Sequence, residues 1–207
     1  IYSHEDFKKY VPLHSYEKSY KYIKKSREGE SDIIWPGRIK LFAKSSGTTN
    51  AVSKYIPVTK DSLSKCHFKA GKDMLSLYHN NFNNKNLYLG KGLMLGGSIS
   101  KNSNHNIKEG DLSAILLTQF PFWISYHRTP DIRTAVQENW EEKIENIVNQ
   151  AINENITNIT GVPSWMLVIL QRVLKKTRKK NILEVWPNLE LYMHCLLYTS
   201  PSPRDRT

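Results

Sequence analysis

Apolar residues recur at helical spacing in several stretches of the chain, with polar residues between them. Tyr16–Arg27 has Tyr16, Tyr20 and Ile23 on one side and lysines on the others, which predicts a surface helix. The clearest such pattern, Val136–Asn155, predicts a helix with one face in the core. Its expected inward residues are Trp140, Ile144, Ile147, Val148 and Ala151, and its expected outward residues are Glu141, Glu142, Lys143 and Glu145.

Three further helices are predicted from caps and apolar spacing. They are Ser62–Phe82 with a cap at Thr59 or Asp61, a helix from Gly110-Asp111 to Gln119, and a helix from a Ser164 cap to Thr177. The apolar stripe expected of the first is Leu63, Cys66, Ala70, Met74 and Leu77. Pro121 and the Asn-rich segment Asn80–Asn86 are expected to end two of these helices.

Short apolar or β-branched runs predict strands between the helices. The runs are Ile39–Ala43, Tyr55–Val58, Gly92–Gly97, Ile156–Thr160 and Leu189–Met193, and Ser98–Lys108 is expected to be a polar loop. Short strands that alternate with helices of ten or more residues indicate an α/β fold. We therefore expect a mostly parallel sheet flanked by helices.

Composition narrows the class of protein further. The chain has 207 residues with a net charge of +11 and 39% hydrophobic residues, which fits one globular domain or a large piece of one. Its longest apolar runs, such as Met166–Leu170, are far shorter than the roughly 20 residues of a membrane-spanning helix, so no membrane protein is expected. Two cysteines form no disulfide framework or zinc pattern, so we expect a cytoplasmic protein without a metal site.

The composition changes abruptly at Cys195. Residues 195–207 read CLLYTSPSPRDRT, and the first eleven match an in-frame translation of a transposase sequencing adapter. We expect 195–207 to be a non-native, adapter-derived tail. A Ser/Pro-rich disordered terminus is the alternative that composition also allows.

The stretch Lys44–Lys54, KSSGTTNAVSK, is the strongest candidate for chemistry. It lies between two predicted strands, and Gly47 permits a tight turn whose backbone N–H groups can surround an anion. The four hydroxyls of SSGTT and the closing Lys54 add donors for phosphate oxygens. The loop does not match the Walker pattern, and a solvated turn is the alternative, because Ser/Thr/Gly loops commonly are solvated turns.

Context favours the phosphate-binding interpretation, because SSGTT between strands resembles the loop of adenylate-forming enzymes such as acyl-CoA synthetases and firefly luciferase. A wider set of motifs is similar to the auxin-responsive promoter family of acyl-acid amido synthetases, in particular to its bacterial branch. The motifs are Trp35-Pro36-Gly37, Phe42–Thr49, Gly110–Ser113, Pro121–Trp123, Arg128–Pro130, Gly161–Trp165 and Trp186–Glu190. The resemblance runs from Tyr10 to His194.

This resemblance implies a ligase that uses ATP and Mg²⁺. A carboxylic acid and ATP would give an acyl-adenylate and pyrophosphate, and an amine such as an amino acid would then take the acyl group. The residues that match the family's phosphate-binding loop are Ser45, Ser46, Gly47, Thr48, Thr49 and Lys54. Asn50 and Ala51 stand where the plant members have glycines. Residues 1–194 would be an incomplete N-terminal lobe, which binds ATP and the acid and is inactive alone.

Two groups of residues are candidates for the acyl pocket. They are Phe122 and Trp123, and Val162, Pro163, Ser164 and Trp165, each placing an aromatic ring beside a turn. Ordinary core packing is the alternative for these aromatic residues. Arg128 is a candidate for contact with a carboxylate, although an exposed loop arginine is the default expectation. Asp111 is expected to cap a helix rather than act as a base.

A second function remains open from charge alone. Lys175, Lys176, Arg178, Lys179 and Lys180 form a basic cluster, which suits a module that binds nucleic acid or an anionic surface without catalysis. The other lysines are spread over several helices, and no known nucleic-acid-binding motif accompanies them. Nucleic-acid binding is therefore the less favoured prediction.

Overall fold

The structure, a computed structural model, describes residues 2–45, 53–82, 86–102 and 106–194. The chain forms two compact units. The first takes in the residues up to Lys60 together with Lys101–Glu109, and the second takes in Asp61–Ser100 and the residues from Gly110 onward. Each unit has its own cluster of buried apolar side chains.

The first unit contains two helices and a β-hairpin. They are α1 (His4–Tyr10), α2 (Tyr16–Arg27), β1 (Leu41–Lys44) and β2 (Tyr55–Val58). The strands pair antiparallel, with Leu41 opposite Val58 and Lys44 opposite Tyr55. Helix α2 and strand β2 confirm the prediction residue for residue, whereas β1 begins two residues later than predicted.

Two further strands correct the prediction of a polar loop over Ser98–Lys108. Strand β4 spans Ile99–Asn102 and β5 spans Ile107–Gly110, and they join the hairpin in a sheet of order β2-β1-β5-β4 (β3 belongs to the second sheet). Ile107 of β5 is fully buried in the cluster of the first unit, with Phe42 of β1. One apolar anchor among polar neighbours was too weak a pattern to predict the strand.

A parallel sheet forms the centre of the second unit. Its strands are β3 (Lys91–Met94), β6 (Arg128–Thr129), β7 (Ile156–Thr160) and β8 (Leu191–Met193), in the order β6-β3-β7-β8. All three pairings are parallel. The predicted mostly parallel α/β architecture is thus confirmed, and the carboxyl ends of these strands meet at one edge of the sheet.

Helices surround this sheet. They are α3 (Lys60–Ser62), α4 (Phe68–Asn81), α5 (Leu112–Gln119), α6 (Ile132–Ala135), α7 (Trp140–Ala151) and α8 (Pro163–Thr177), with a π-helical turn at Leu63–His67 and 3₁₀ turns at Asn86–Tyr88, Phe122–His127 and Ile182–Glu184. The core places Ile144 and Ile147 of α7 and Ile169 of α8 against Leu93 and Ile159 of the sheet. The apolar faces of α7 and α8 therefore hold them on the sheet.

The helix predicted over Ser62–Phe82 exists, but its apolar stripe is not in the core. Only Leu63 of that stripe is buried, whereas Cys66, Met74 and Leu77 are exposed. The π-helical turn at Leu63–His67 shifts the residues that follow around the helix axis, so a stripe counted with one constant period does not stay on one face.

The helix predicted over Val136–Asn155 is shorter, and one of its outward residues lies inside the fold. It runs from Trp140 to Ala151, capped by the Asn139 side chain, which accepts the Glu142 N–H. Its five predicted inward residues lie in or against the core. Lys143 is only 2% exposed, so the prediction that it faces solvent is wrong.

Candidate functional site

The hairpin closes the base of the predicted phosphate-binding loop. The Ser45 N–H donates to the Lys54 carbonyl oxygen at 2.8 Å, and the Lys54 N–H donates to the Ser45 hydroxyl oxygen at 2.9 Å. These bonds hold the first and last predicted phosphate-binding residues opposite each other, one step beyond the Lys44–Tyr55 pair. The other four, Ser46, Gly47, Thr48 and Thr49, lie outside the described residues.

The Lys54 ammonium group is exposed, and its contacts with neighbouring side chains are weak. Its Nζ lies 3.9 Å from Glu17 Oε1 and 5.2 Å from the centre of the Tyr16 ring. The Tyr16 hydroxyl accepts the Tyr55 N–H at 2.8 Å, which ties helix α2 to the hairpin. The pKa of Glu17 is lowered, chiefly by its own backbone N–H and the Ser15 hydroxyl and least by Lys54. An exposed pair of this kind is weak, so Lys54 can turn to an anionic ligand at little cost.

The second group of predicted acyl-pocket residues follows β7 at the carboxyl edge of the parallel sheet. Val162 is the N-cap of α8 and Pro163 its first residue, so Ser164 lies inside the helix and does not cap it. Proline suits this position, where its missing N–H has no partner to lose. Trp165 is 38% exposed, and its ring packs on Trp140 at 5.0 Å between centres.

The first group occupies another place in the chain. Phe122 and Trp123 begin the 3₁₀ turn that precedes β6, and they are 80% and 56% exposed. Ligands of open parallel sheets bind beyond the carboxyl ends of the strands. Within the second unit, Val162–Trp165 therefore have the more favourable position for a pocket wall.

A polar network that the sequence analysis missed fixes the end of β3. The Lys143 Nζ donates to the carbonyl oxygens of Gly96 at 2.6 Å and Gly97 at 2.8 Å. The Gly97 N–H donates to the Ser113 hydroxyl, and the Ser98 N–H donates to Asp111 Oδ2. Asp111 stands at the N-cap of α5 as predicted, but its side chain makes this bond and no cap bond.

Burial lowers the pKa of Lys143 from 10.5 to about 8, and the charge of Asp111 partly opposes the shift. The spacing of Lys143 contained a signal, since Trp140 and Ile147 lie three residues before it and four after it. It therefore stands within the apolar stripe of α7. The result is a fixed Gly96-Gly97 turn at the sheet edge where β7 leads into Val162.

An apolar cleft of about 400 Å³ lies between α4 and β8. Its walls include Met74, Tyr78, Phe82, Leu191, Tyr192 and His194. Met74, predicted to be core, thus lines a surface cleft. Within the described ranges, no group of three or more His, Cys, Asp or Glu side chains is placed to hold a metal ion, and no helix is long and apolar enough to cross a membrane.

The α/β architecture matches the N-terminal region of acyl acid amido synthetases of solved structure. Residues 1–196 match the model of the GH3 family N-terminal domain, so the chain belongs to the GH3 family, which confirms the resemblance to the auxin-responsive promoter family. No curated protein matches the chain.

Two solved structures show the same fold. One is AtGH3.15 acyl acid amido synthetase in complex with 2,4-DB, with a TM-score of 0.64 and 23% sequence identity over 84% of this chain. The other is GH3.15 acyl acid amido synthetase, with a TM-score of 0.63 and 20% identity over 84% of this chain. The chain spans 31% of the length of each. These findings do not favour the nucleic-acid-binding alternative.

Proposed function

We propose that the chain is the ATP- and acid-binding part of an ATP-dependent ligase, which joins a carboxylic acid to an amine such as an amino acid. The observation that carries the proposal is the β1–β2 hairpin, closed at Ser45 and Lys54 around the SSGTT sequence. Membership of the GH3 family supports the general kind of reaction.

The described residues of the hairpin fit a polyphosphate ligand. Lys54 supplies an exposed ammonium group, which lies 3.9 Å from Glu17 Oε1 and 5.2 Å from the centre of the Tyr16 ring. The Ser45 hydroxyl stays at the base of the loop, since it accepts the Lys54 N–H. We assign the ATP phosphates to Ser45–Thr49 and Lys54. Among the described residues, no group of three or more His, Cys, Asp or Glu side chains is placed to hold Mg²⁺.

ATP supplies a good leaving group to a carboxylate, which is otherwise a poor electrophile. The task left to the chain is to hold the carboxylate in line with the phosphates and to offset negative charge as pyrophosphate leaves. Lys54 serves the second purpose. Val162 and Trp165, at the carboxyl edge of the parallel sheet, are the residues we assign to the acyl group.

The reaction class can be tested with hydroxylamine as the amine acceptor. The chain is compared with the same chain extended by the rest of a GH3 protein, each given ATP and a panel of carboxylic acids. Hydroxamate should form only with the extended protein, because the present chain covers 31% of the solved relatives. Equal turnover by the short chain, or no hydroxamate from the extended protein with any acid, would contradict the proposal.

A further inference from the structure

Arg128 is a buried cation whose charge the fold does not fully satisfy. The residue is 7% exposed, and its Nη1 is buried without a hydrogen-bond partner in the part of the chain that the structure describes. Arginine stays protonated in proteins, so a buried, unbonded guanidinium nitrogen carries a substantial desolvation cost. The prediction of an exposed loop arginine is therefore wrong.

The nearest acidic residue does not supply the missing bond. Asp131 opposes the effect of burial, which lowers the pKa of Arg128. Its Oδ1 already accepts the N–H groups of Arg133 and Thr134, and its Oδ2 accepts the Thr134 hydroxyl and Gln150 Nε2. These four hydrogen bonds hold the Asp131 carboxylate at the start of α6.

The carboxylate oxygens of Glu190 are also buried, with no hydrogen-bond partner among the described residues, but the sheet keeps them away from Arg128. Strands β3 and β7 lie between them, which amounts to roughly 14 Å at the usual strand spacing. Arg128 is in register with Gly92, Asn158 and Leu191, whereas Glu190 comes one residue before Leu191. Side chains alternate along a strand, so Glu190 belongs to the opposite face.

The neighbours of Arg128 on its own face form a polar row. Gly92 is its register partner in β3, and a Cβ there would lie 2.5 Å from Asn158 Oδ1. The Asn158 amide therefore lies over Gly92, on the strip of sheet next to β6. The Asn158 Nδ2 donates to Thr157 Oγ1 at 3.3 Å, which uses one of its two N–H groups. The guanidinium and the remaining amide N–H are donors that suit a carboxylate or a phosphate group.

We propose that Arg128 anchors an oxyanion-binding subsite on this face of the parallel sheet, with Asn158 beside it. The ligand group is a carboxylate or a phosphate. The subsite is distinct from the hairpin loop assigned to the ATP phosphates, and it is tested by binding. The test of this subsite is therefore independent of the test of the proposed ligase activity.

The test measures the melting temperature of the 207-residue protein with sodium pyrophosphate or sodium benzoate, against sodium chloride at equal ionic strength. Arg128→Met removes the charge and keeps the length of the side chain. Arg133→Met is the matched control, because Arg133 is an exposed arginine five residues away. All variants are made in the Lys54→Ala background, which weakens pyrophosphate binding at the hairpin loop, so that the remaining effect reports on this site.

At least one anion should stabilise the Lys54→Ala protein and its Arg133→Met variant. In Arg128→Met its affinity should fall by tenfold or more. Without ligand, Arg128→Met should melt no lower than the parent, because it removes an unsatisfied buried charge. An effect of benzoate alone assigns the site to carboxylates, and an effect of pyrophosphate alone assigns it to phosphates. Absence of stabilisation by either anion, or an equal effect in Arg128→Met, would overturn the proposal.

Discussion

Burial of the Lys143 ammonium group makes part of the protein's stability depend on pH. Folding lowers the pKa of Lys143 from 10.5 to about 8. Between these values the unfolded chain binds more protons than the folded chain, so the free energy of unfolding gains from this residue as pH rises from 8 towards 10.5. Below pH 8 the gain is absent, because both states are protonated.

We predict that Lys143→Met removes this dependence. Urea unfolding at pH 7, 8, 9 and 10 should show the parent gaining stability relative to Lys143→Met as pH rises, because other titrating groups are common to both proteins. Lys175→Met, which removes an exposed lysine, should run parallel to the parent. Parallel curves for the parent and Lys143→Met would contradict the lowered pKa of Lys143.

At the scale of the element, Gly71 lies on an open helix face, whereas Gly97 lies in a packed turn. A Cβ at Gly71 in α4 would meet nothing within 4 Å, whereas a Cβ at Gly97 would lie 1.9 Å from Asp111 Oδ2. Alanine loses less backbone entropy than glycine on entering a helix. At Gly97, the same methyl group has to displace the carboxylate that accepts the Ser98 N–H.

Gly71→Ala should therefore raise the free energy of unfolding by about 0.5–1 kcal/mol. Gly97→Ala should lower it by roughly 1–3 kcal/mol. Urea denaturation at pH 7 measures both changes, and each variant serves as the control for the other. A loss smaller than about 0.5 kcal/mol in Gly97→Ala would mean that the Asp111 contact does not constrain the turn.

The elements show what sequence alone can and cannot predict. Regular apolar spacing predicted α2, and short apolar or β-branched runs predicted β2 and β7, at their observed bounds, because local preference and packing agree there. The polar strand β4 was not predicted, because it forms by pairing with another strand and the local sequence does not reveal that pairing. At the candidate site, the hairpin was predictable from its motif, whereas the buried charges of Lys143 and Arg128 depend on which distant residues surround them.

At the scale of the whole molecule, the chain corresponds to 31% of the solved GH3 structures that it resembles. The cleft between α4 and β8 and the exposed aromatic rings at Phe122 and Trp123 leave apolar surface open to solvent. Surface of this kind promotes association.

We predict that the chain extended by the rest of a GH3 protein stays monomeric at higher concentration than the 207-residue chain, which light scattering can measure. Equal association by the two proteins would contradict this.

The most direct test of the account is acid-dependent exchange of pyrophosphate into ATP, measured on the extended protein. Loss of one charge-assisted contact to phosphate costs about 1.5–3 kcal/mol, so Lys54→Ala should slow the exchange by roughly 10- to 100-fold. Lys18→Ala, which removes an exposed lysine of α2 outside the loop, should leave the rate unchanged. Unchanged exchange in the double variant Lys54→Ala/Thr48→Ala would contradict phosphate binding by the hairpin loop and would support the alternative of a solvated turn.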